Sequence, residues 1–171
     1  MQLLELLARS QALEKRAAAM YRTFAATDLA DPDLAALWTA LAAEEDAHAS
    51  SIEGALGTLD TRDETLTAIE DCEQALADIA ERLWYAERLP EDATADRRFT
   101  AALDIELSEL TALRRLAVDA SPRVPIVPPE TRHLHRLGET AMKRSSDAHV
   151  RLAAALLLAR QSLAADIAVR R

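Results

Sequence analysis

The segment AAEEDAHASSI, residues 42–52, carries acidic and imidazole side chains on a helix face that is otherwise apolar. Around it, apolar side chains recur every three or four positions, the spacing of one helix face, at Leu34, Trp38, Leu41, Ile52 and Ala55. Glu45 and His48 fall on the same face. Because a buried carboxylate without a partner costs several kcal/mol, this placement predicts a binding partner for the two side chains inside the protein.

Length and composition predict one all-α domain without a nucleic-acid partner. The 171 residues are 50% hydrophobic, which suffices for one core, and contain only three glycines. The formal net charge is −9. This charge disfavours nucleic acid, whose phosphates require clustered Lys and Arg, and it favours the binding of cations.

Cysteine usage and hydropathy narrow the class of protein further. Cys72 is the only cysteine, which excludes an internal disulfide and a paired-cysteine metal module. The N-terminus lacks a basic start followed by a long apolar run. The longest apolar run, Leu152–Ala159, is too short to cross a bilayer. These features predict a cytoplasmic protein with no membrane partner.

Hydrophobic periodicity predicts four helices of similar length and a fifth after a linker. The first four cover about residues 3–27, 31–57, 61–90 and 94–118. Asp31 is the predicted N-cap of the second helix, and Pro32 its first residue. Four of the six prolines lie in residues 121–130 and predict an extended linker. The predicted organisation is a four-helix bundle over residues 1–120, a linker over 121–130, and a long C-terminal helix over 131–171 that forms an oligomerisation arm or a lid.

The four helices also read as a duplicated helical hairpin. A shift of 61 positions places Glu45 and His48 on Glu106 and Glu109, and a shift of 59 places Glu14 on Glu73. Glu14, Glu45, Glu73 and Glu106 thus occupy equivalent positions in the middle of their helices. Four carboxylates at one level of a core need a shared cation.

The spacing of these residues suits metal ligation. Side chains three positions apart lie on one helix face, so Glu45 with His48, and Glu106 with Glu109, can each ligate an ion. One Glu from each of two helices, with a Glu-x-x-His from each of the other two, is the ligand pattern of di-iron and di-manganese carboxylate bundles. The sequence therefore predicts a di-metal site, with iron favoured and manganese as the alternative.

The chain resembles the ferritin-like superfamily, and rubrerythrin-like proteins in particular, over residues 3–118. The segments that carry the resemblance are ALEKRAAAMY, AAEEDAH, EDCEQAL and DIELSEL, which begin at residues 12, 42, 70 and 104. The resemblance implies terminal ligands at Glu14, His48 and Glu73, bridging ligands at Glu45 and Glu106, and a tyrosine near the metals at Tyr21. Tyr21 would be either a core aromatic residue with its hydroxyl satisfied or a side chain that supports redox chemistry.

One position departs from the family pattern. The resemblance implies a second histidine at position 109, where this chain has Glu109. A carboxylate there can still ligate iron, with Glu70 as a further oxygen donor, or His149 can supply the missing imidazole. His133 and His135, at the start of the fifth helix, are expected at the surface.

The connection between the second and third helices raises a topological difficulty. In the ferritin-like fold these two helices run parallel, yet only five or six residues separate Gly57 from Asp63. Such a connection spans at most about 20 Å, less than the length of a 24-residue helix. The sequence therefore leaves two possibilities. The first is a plain up-down-up-down bundle, and the second is a domain-swapped homodimer in which one chain contributes Glu14, Glu45 and His48 and the other contributes the facing Glu73, Glu106 and Glu109. We favour the swapped dimer.

The resemblance implies a function in iron chemistry. Rubrerythrin-like proteins oxidise Fe(II) with peroxide or dioxygen, which leads to peroxide reduction or iron detoxification, and a hydroxylase role is possible on the same scaffold. Since the chain lacks a rubredoxin module, electrons would come from a separate donor. The alternative is a structural or interaction bundle with a degenerate metal site, for which Glu109 is the best evidence.

Overall fold

The computed structural model describes residues 3–57, 69–119 and 132–169, which form helices and no strand. The helices are α1 (Leu3–Thr27), α2 (Pro32–Leu56), α3 (Ile69–Ala86), α4 (Ala95–Asp119), α5 (Arg132–Arg144) and α6 (Ala148–Val169). The all-α class is confirmed. Within the described ranges, no helix combines the length and apolarity that crossing a membrane requires.

Helices α1 and α2 form an antiparallel hairpin, and the sequence predicted the start of α2 after its turn. Asp31 is the N-cap of α2, as predicted, and its carboxylate accepts a hydrogen bond from the backbone N–H of Leu34 at 3.3 Å. Gln11 Nε2 donates to the carbonyl oxygen of Ala49 at 3.3 Å, which joins the early part of α1 to the late part of α2. The hairpin therefore sets residues near Glu14 opposite residues near Glu45.

Helix α3 ends earlier than the sequence predicted. It ends at Ala86 rather than at Pro90, because a residue that precedes proline is disfavoured in helical conformation and the last turn tightens before it. The backbone N–H of Arg88 donates to the carbonyl oxygen of Tyr85, three residues back, at 3.2 Å. Helix α4 then begins with Thr94 as its cap, whose hydroxyl accepts from the backbone N–H of Arg97 at 3.3 Å.

The predicted fifth helix is two helices. A break at residues 145–147 separates α5 from α6. Asp147 caps α6, since its carboxylate accepts hydrogen bonds from the backbone N–H groups of His149 at 2.7 Å and Val150 at 3.3 Å. The Ser145 hydroxyl accepts from the backbone N–H of Asp147 at 3.1 Å. Short polar side chains that bind the backbone in this way favour a helix start over a continuous helix.

Helices α5 and α6 pack on the same core as the first four helices. Leu137, Ala141 and Leu157 are fully buried within that core. Arg144, the last residue of α5, contacts Asp31 and forms an ion pair with Asp33 at 2.8 Å. The predicted linker at 121–130 lies outside the described residues.

The directions of the helices decide which residues meet. Trp38 of α2 contacts Phe99 of α4, with ring centroids 5.3 Å apart, and seven residues further on Glu45 meets Glu106. Equal steps along both helices mean that α2 and α4 run parallel. Helix α5 runs the opposite way, because its start lies against Glu45 whereas its end lies against Asp31. A single chain thus brings Glu106 to Glu45, and the swapped homodimer stays a prediction.

Candidate metal centre

Within the described part of the chain, two groups of three side chains could each hold a metal ion. The first consists of Glu14, Glu45 and His48, and the second of Glu45, Glu106 and His133. Within each group, one ligand atom per residue lies within 4.8 Å of the others. Glu45 belongs to both groups, so its carboxylate can bridge two ions. Two ions that share one carboxylate form a dinuclear centre.

Four helices supply these side chains. Glu14 lies in the middle of α1, Glu45 and His48 lie one turn apart on α2, Glu106 lies on α4, and His133 lies in the first turn of α5. His48 Nδ1 is 3.3 Å from Glu45 Oε2 and 3.7 Å from Glu14 Oε2. In the second group, His133 Nε2 is 3.6 Å from Glu106 Oε2 and 4.0 Å from Glu45 Oε1. Each imidazole thus faces two carboxylates.

The two groups differ in their access to solvent. The side chains of Glu45, Glu106 and His133 are 1%, 2% and 2% exposed. Those of Glu14 and His48 are 15% and 21% exposed. An ion or a small molecule from solvent would therefore reach the Glu14–His48 side first.

Two buried carboxylate oxygens of the candidate centre lack hydrogen-bond partners in the part of the chain that the structure describes. Glu14 Oε2 and Glu45 Oε1 are buried and have no hydrogen-bond partner among the described residues. Leaving a buried acceptor without a partner costs about 1–3 kcal/mol, and more when it is charged. A divalent ion between these oxygens would remove the cost, since buried charges in proteins are paired or coordinate metals.

Protons occupy part of the metal-free centre. Burial and the charge of Glu106 raise the pKa of Glu45 well above its usual range, and burial together with nearby carboxylates does the same for Glu109. Burial lowers the pKa of both imidazoles, but Glu14 raises that of His48 and Glu106 raises that of His133, so that each rises overall.

The pKa of Glu14, in contrast, is lowered below its usual value. Burial raises its pKa, but the neighbouring side chains of His48 and Glu45 and the charges of the imidazoles lower it overall. The centre thus combines an ionised carboxylate at its more open side with protonated neighbours, and a metal ion would have to displace those protons.

Two further side chains contact the candidate ligands and orient them. The Tyr21 hydroxyl donates to Glu106 Oε1 at 2.7 Å, and burial followed by the charge of Glu106 raises the pKa of Tyr21 well above its usual value, which keeps it a phenol. Glu44 Oε2 contacts His133 Nδ1, which leaves Nε2 of that ring turned toward Glu106. Such outer contacts orient metal ligands and fix the imidazole tautomer.

The structure brings four of the predicted ligands together and leaves the others outside both groups. Glu14, Glu45, His48 and Glu106 come together as the sequence suggested. Glu109 is near enough for the charges of Glu14, Glu45 and Glu106 to affect it, but it belongs to neither group. Glu73, half-buried on α3, also lies outside both groups. His149, the alternative imidazole, is exposed on α6, and the side chain of Glu70 lies outside the described residues.

His133 is the ligand candidate that the sequence analysis missed. It was expected at the surface, but it is 3% exposed, because the start of α5 packs between α2 and α4. His135, on the outer face of α5, is exposed as expected. A signal was present: Glu130 and His133 repeat the three-residue spacing of Glu45 and His48. Glu130 itself lies outside the described residues.

Comparison with known proteins does not assign the chain to a family. No protein-family model matches it, and searches of the curated proteins and of the solved structures give no match either. The ferritin-like resemblance therefore rests on the sequence segments quoted above, and the candidate metal centre rests on the geometry of its own side chains.

Proposed function

We propose that the protein is a ferritin-like di-metal carboxylate protein that binds two iron ions between α1, α2, α4 and α5, with manganese as the alternative metal. Its proposed reaction is the oxidation of Fe(II) by peroxide or dioxygen. The observation that carries the proposal is the pair of three-residue groups joined by Glu45. A hydrogen-bonded polar cluster without a metal would not need one carboxylate placed between two imidazole-bearing sites.

The donor atoms suit the proposed metals. Carboxylate oxygens and imidazole nitrogens are the ligands of non-haem iron and of manganese, whereas soft thiolate ligands are absent from both groups. Glu14, Glu45 and Glu106 supply three negative charges, and the adjacent Glu109 would supply a fourth. Four carboxylates balance the charge of two divalent cations, which removes the mutual repulsion that the metal-free centre contains.

The helix order supports a ferritin-like arrangement in which α3 is the crossover. In that fold the second and third bundle helices run parallel. Helices α2 and α4 do so here, and α3 returns the chain along the bundle between them. The four bundle helices would then be α1, α2, α4 and α5, with an imidazole from the second and from the fourth. This assignment removes the difficulty of the short connection after Gly57.

Each residue has a distinct task in the proposed centre. Bound iron would supply the electron transfer to the oxidant. Glu45 sets the spacing of the two sites, and the Tyr21 hydroxyl fixes the orientation of Glu106. The partly exposed side at Glu14 and His48 admits a small oxidant, while the buried side at His133 excludes water. Electrons would reach the centre from a separate donor.

Metal titration tests the proposal directly. Purified metal-free protein should bind two equivalents of Fe(II) under anaerobic conditions, and Glu45→Gln should lose both, since Glu45 serves both groups. His48→Ala and His133→Ala should each lose one. His135→Ala is the matched control, because His135 is two residues from His133 but exposed, and it should bind as the native chain does. Equal binding by His133→Ala and His135→Ala would refute the centre.

A structural or interaction bundle with a degenerate site is the second candidate. The observation in its favour is an apolar strip on α6, where Leu152 and Leu156 are 61% and 49% exposed. Exposed apolar strips on helices are typical of protein-binding surfaces. The titration separates the two candidates. A protein that binds no Fe(II), and whose melting temperature Fe(II) leaves unchanged, would support the bundle without a metal.

A further inference from the structure

Trp84 and Tyr85 form an exposed aromatic patch at the end of α3. The two side chains are 47% and 62% exposed, with ring centroids 4.9 Å apart and ring planes perpendicular to each other. The chain has six Phe, Tyr and Trp residues, and the other four are no more than 4% exposed: Tyr21, Phe24, Trp38 and Phe99. Adjacent large rings at a protein surface are typical of protein-binding sites.

Arg88 lies at one end of this patch. Its guanidinium carbon is 3.9 Å from the centre of the Trp84 ring, and its Nη1 donates to the carbonyl oxygen of Trp84 at 3.0 Å. The positive charge is therefore held beside the exposed ring. Tryptophan, tyrosine and arginine are also the residue types that most often carry the binding energy of protein interfaces.

Glu81 lies at the opposite end of the patch. It precedes Trp84 by three residues, which is one helical turn, and it is exposed. Glu81 forms no ion pair with the residues that the structure describes, whereas Glu87 pairs with Arg16 of the same chain at 2.8 Å. The outward face at the end of α3 thus carries an acid, two aromatic rings and a base, in the order of the chain.

This order makes the face complementary to itself in one orientation. In an antiparallel contact between α3 helices of two copies, the twofold axis passes between Trp84 and Tyr85. Glu81 of each copy then lies opposite Arg88 of the other, because both residues are equally distant from that axis along the chain. The aromatic rings of both copies lie at the centre of the contact, with an ion pair at each end. Parallel helices would instead place like charges opposite each other.

The exposed apolar strip on α6 lacks this self-complementarity. Leu152 and Leu156 form the strip, and its charged neighbours include Arg151 and Arg160. Residues 148–160 contain no acid. Two copies that met through this strip would bring arginines together without a carboxylate between them, so charge complementarity favours α3 over α6 for a contact between copies.

We propose that two copies of the chain form an antiparallel homodimer through the α3 face, which consists of Glu81, Trp84, Tyr85 and Arg88. This dimer requires no exchange of helices between the copies. It is also independent of the proposed metal centre, because none of the four residues belongs to either candidate metal-binding group.

The contact is small, which sets the expected affinity. Complete burial of one Trp or Tyr removes about 150–250 Å² from solvent, so the four half-exposed rings of two copies contribute roughly 400 Å². With the charged ends, the contact lies at the lower end of the sizes of specific interfaces. We therefore expect a reversible dimer with a dissociation constant on the order of micromolar.

Charge reversal tests the pairing. Sedimentation velocity on the full chain, below and above micromolar concentration, should show a monomer–dimer equilibrium. Glu81→Arg and Arg88→Glu each place two pairs of like charges in the contact, so each should weaken the dimer at least about tenfold. An equimolar mixture of the two variants should form a heterodimer, because one copy then carries both positive charges and the other both negative ones. The double variant, Glu81→Arg with Arg88→Glu, should recover the homodimer.

Two further variants test the aromatic centre and the choice of surface. Trp84→Ala should weaken the dimer at least about tenfold, because it removes a ring from the centre of the contact. Leu152→Ser with Leu156→Ser is the control for the α6 strip and should leave the dimer unchanged. Circular dichroism identifies any variant that fails to fold, and recovery on mixing shows that both charge variants remain folded.

A native chain that stays monomeric at millimolar concentration would overturn the proposal. A dimer that withstands both single charge reversals would do the same, as expected for a domain-swapped dimer, and loss of the dimer in the α6 variant would place the contact on α6. Monomers in both the mixture and the double variant would refute the paired charges. Each of these results leaves the iron titration unaffected, and failure of the titration leaves the α3 dimer unaffected.

Discussion

Among the residues that the structure describes, two clusters of charged side chains are buried, and they differ in whether their charges are balanced. In the Asp28–Arg98 pair at the α1–α2 turn, both carboxylate oxygens accept hydrogen bonds and the charges cancel. In the candidate metal centre, three carboxylates meet with two imidazoles, and one oxygen each of Glu14 and Glu45 has no hydrogen-bond partner among the described residues. Burial of charge alone therefore does not indicate a ligand site. An unbalanced cluster is the better indicator, because protons or a metal cation must neutralise it.

We expect the largest loss of stability when the positive charge of the Asp28–Arg98 pair is removed. Arg98→Met leaves the Asp28 carboxylate buried without its cation, which should lower the free energy of unfolding by about 3–5 kcal/mol. Urea denaturation measures the change. Arg97→Met, at the exposed neighbouring position, is the control and should stay within about 0.5 kcal/mol of the native chain. A loss of the same size in both variants would mean that the ion pair has no special importance.

Metal addition should balance the second cluster. At a free concentration one hundred times its dissociation constant, a divalent ion that binds only the folded chain adds about 2.7 kcal/mol to the free energy of unfolding. Fe(II) without oxygen, or Zn(II) as a redox-inert substitute, should therefore raise the melting temperature. The shift should disappear in Glu45→Gln. A shift that survives this substitution would place the binding site elsewhere.

Removing the Glu45 carboxylate should have opposite effects on stability and on metal binding. Glu45→Met keeps an unbranched side chain of similar length and deletes a buried acid that has an unpaired oxygen and repels Glu106. The metal-free variant should gain about 1–2 kcal/mol in free energy of unfolding. It should also lose metal binding. A less stable variant would show that Glu45 is already satisfied without a metal.

The α1–α2 half of the site was predictable because its signals are local. Asp31 and Pro32 mark the start of α2, and helical periodicity places Glu45 and His48 on the buried face. The register shift of 61 also pairs Trp38 with Phe99 and Glu45 with Glu106, and these residues do meet. Parallel helices in contact keep such a shift constant along their length, which is why the repeat located Glu106.

His133 was not predictable in the same way. Its burial depends on how α5 packs after the linker, and periodicity within α5 does not determine which neighbour covers each face. Ser145 and Asp147 form a helix start, which is a sequence signal for the break before α6. The apolar pattern continues on both sides of the break and therefore predicted one continuous helix. The burial of His133 thus depends on tertiary contacts between distant segments, which local sequence patterns do not determine.

The smallest expected effect is a pH dependence confined to the unbalanced cluster. The pKa values of Glu45 and Glu109, and of His48 and His133, are raised in the folded chain. A raised pKa contributes stability below the unfolded value and loses it as pH rises through the folded value. The metal-free protein should therefore lose stability as pH rises above about 4.5 for the acids and about 6.5 for the imidazoles, because the unfolded chain releases these protons at a lower pH than the folded chain does.

The lowered pKa of Glu14 acts in the opposite sense, but its contribution is lost only as pH falls below the usual range of a glutamate, outside this window. Metal binding must release the protons that the four raised groups hold, so metal affinity should increase over the same range in which metal-free stability falls. Thermal melts at several pH values, with and without Zn(II), measure both trends. A double variant, Glu45→Met with His133→Ala, should flatten them, whereas His135→Ala should retain them. If the metal-free protein instead gained stability with rising pH, the cluster would be balanced by some other cation-like partner, and the contrast with the Asp28–Arg98 pair would not hold.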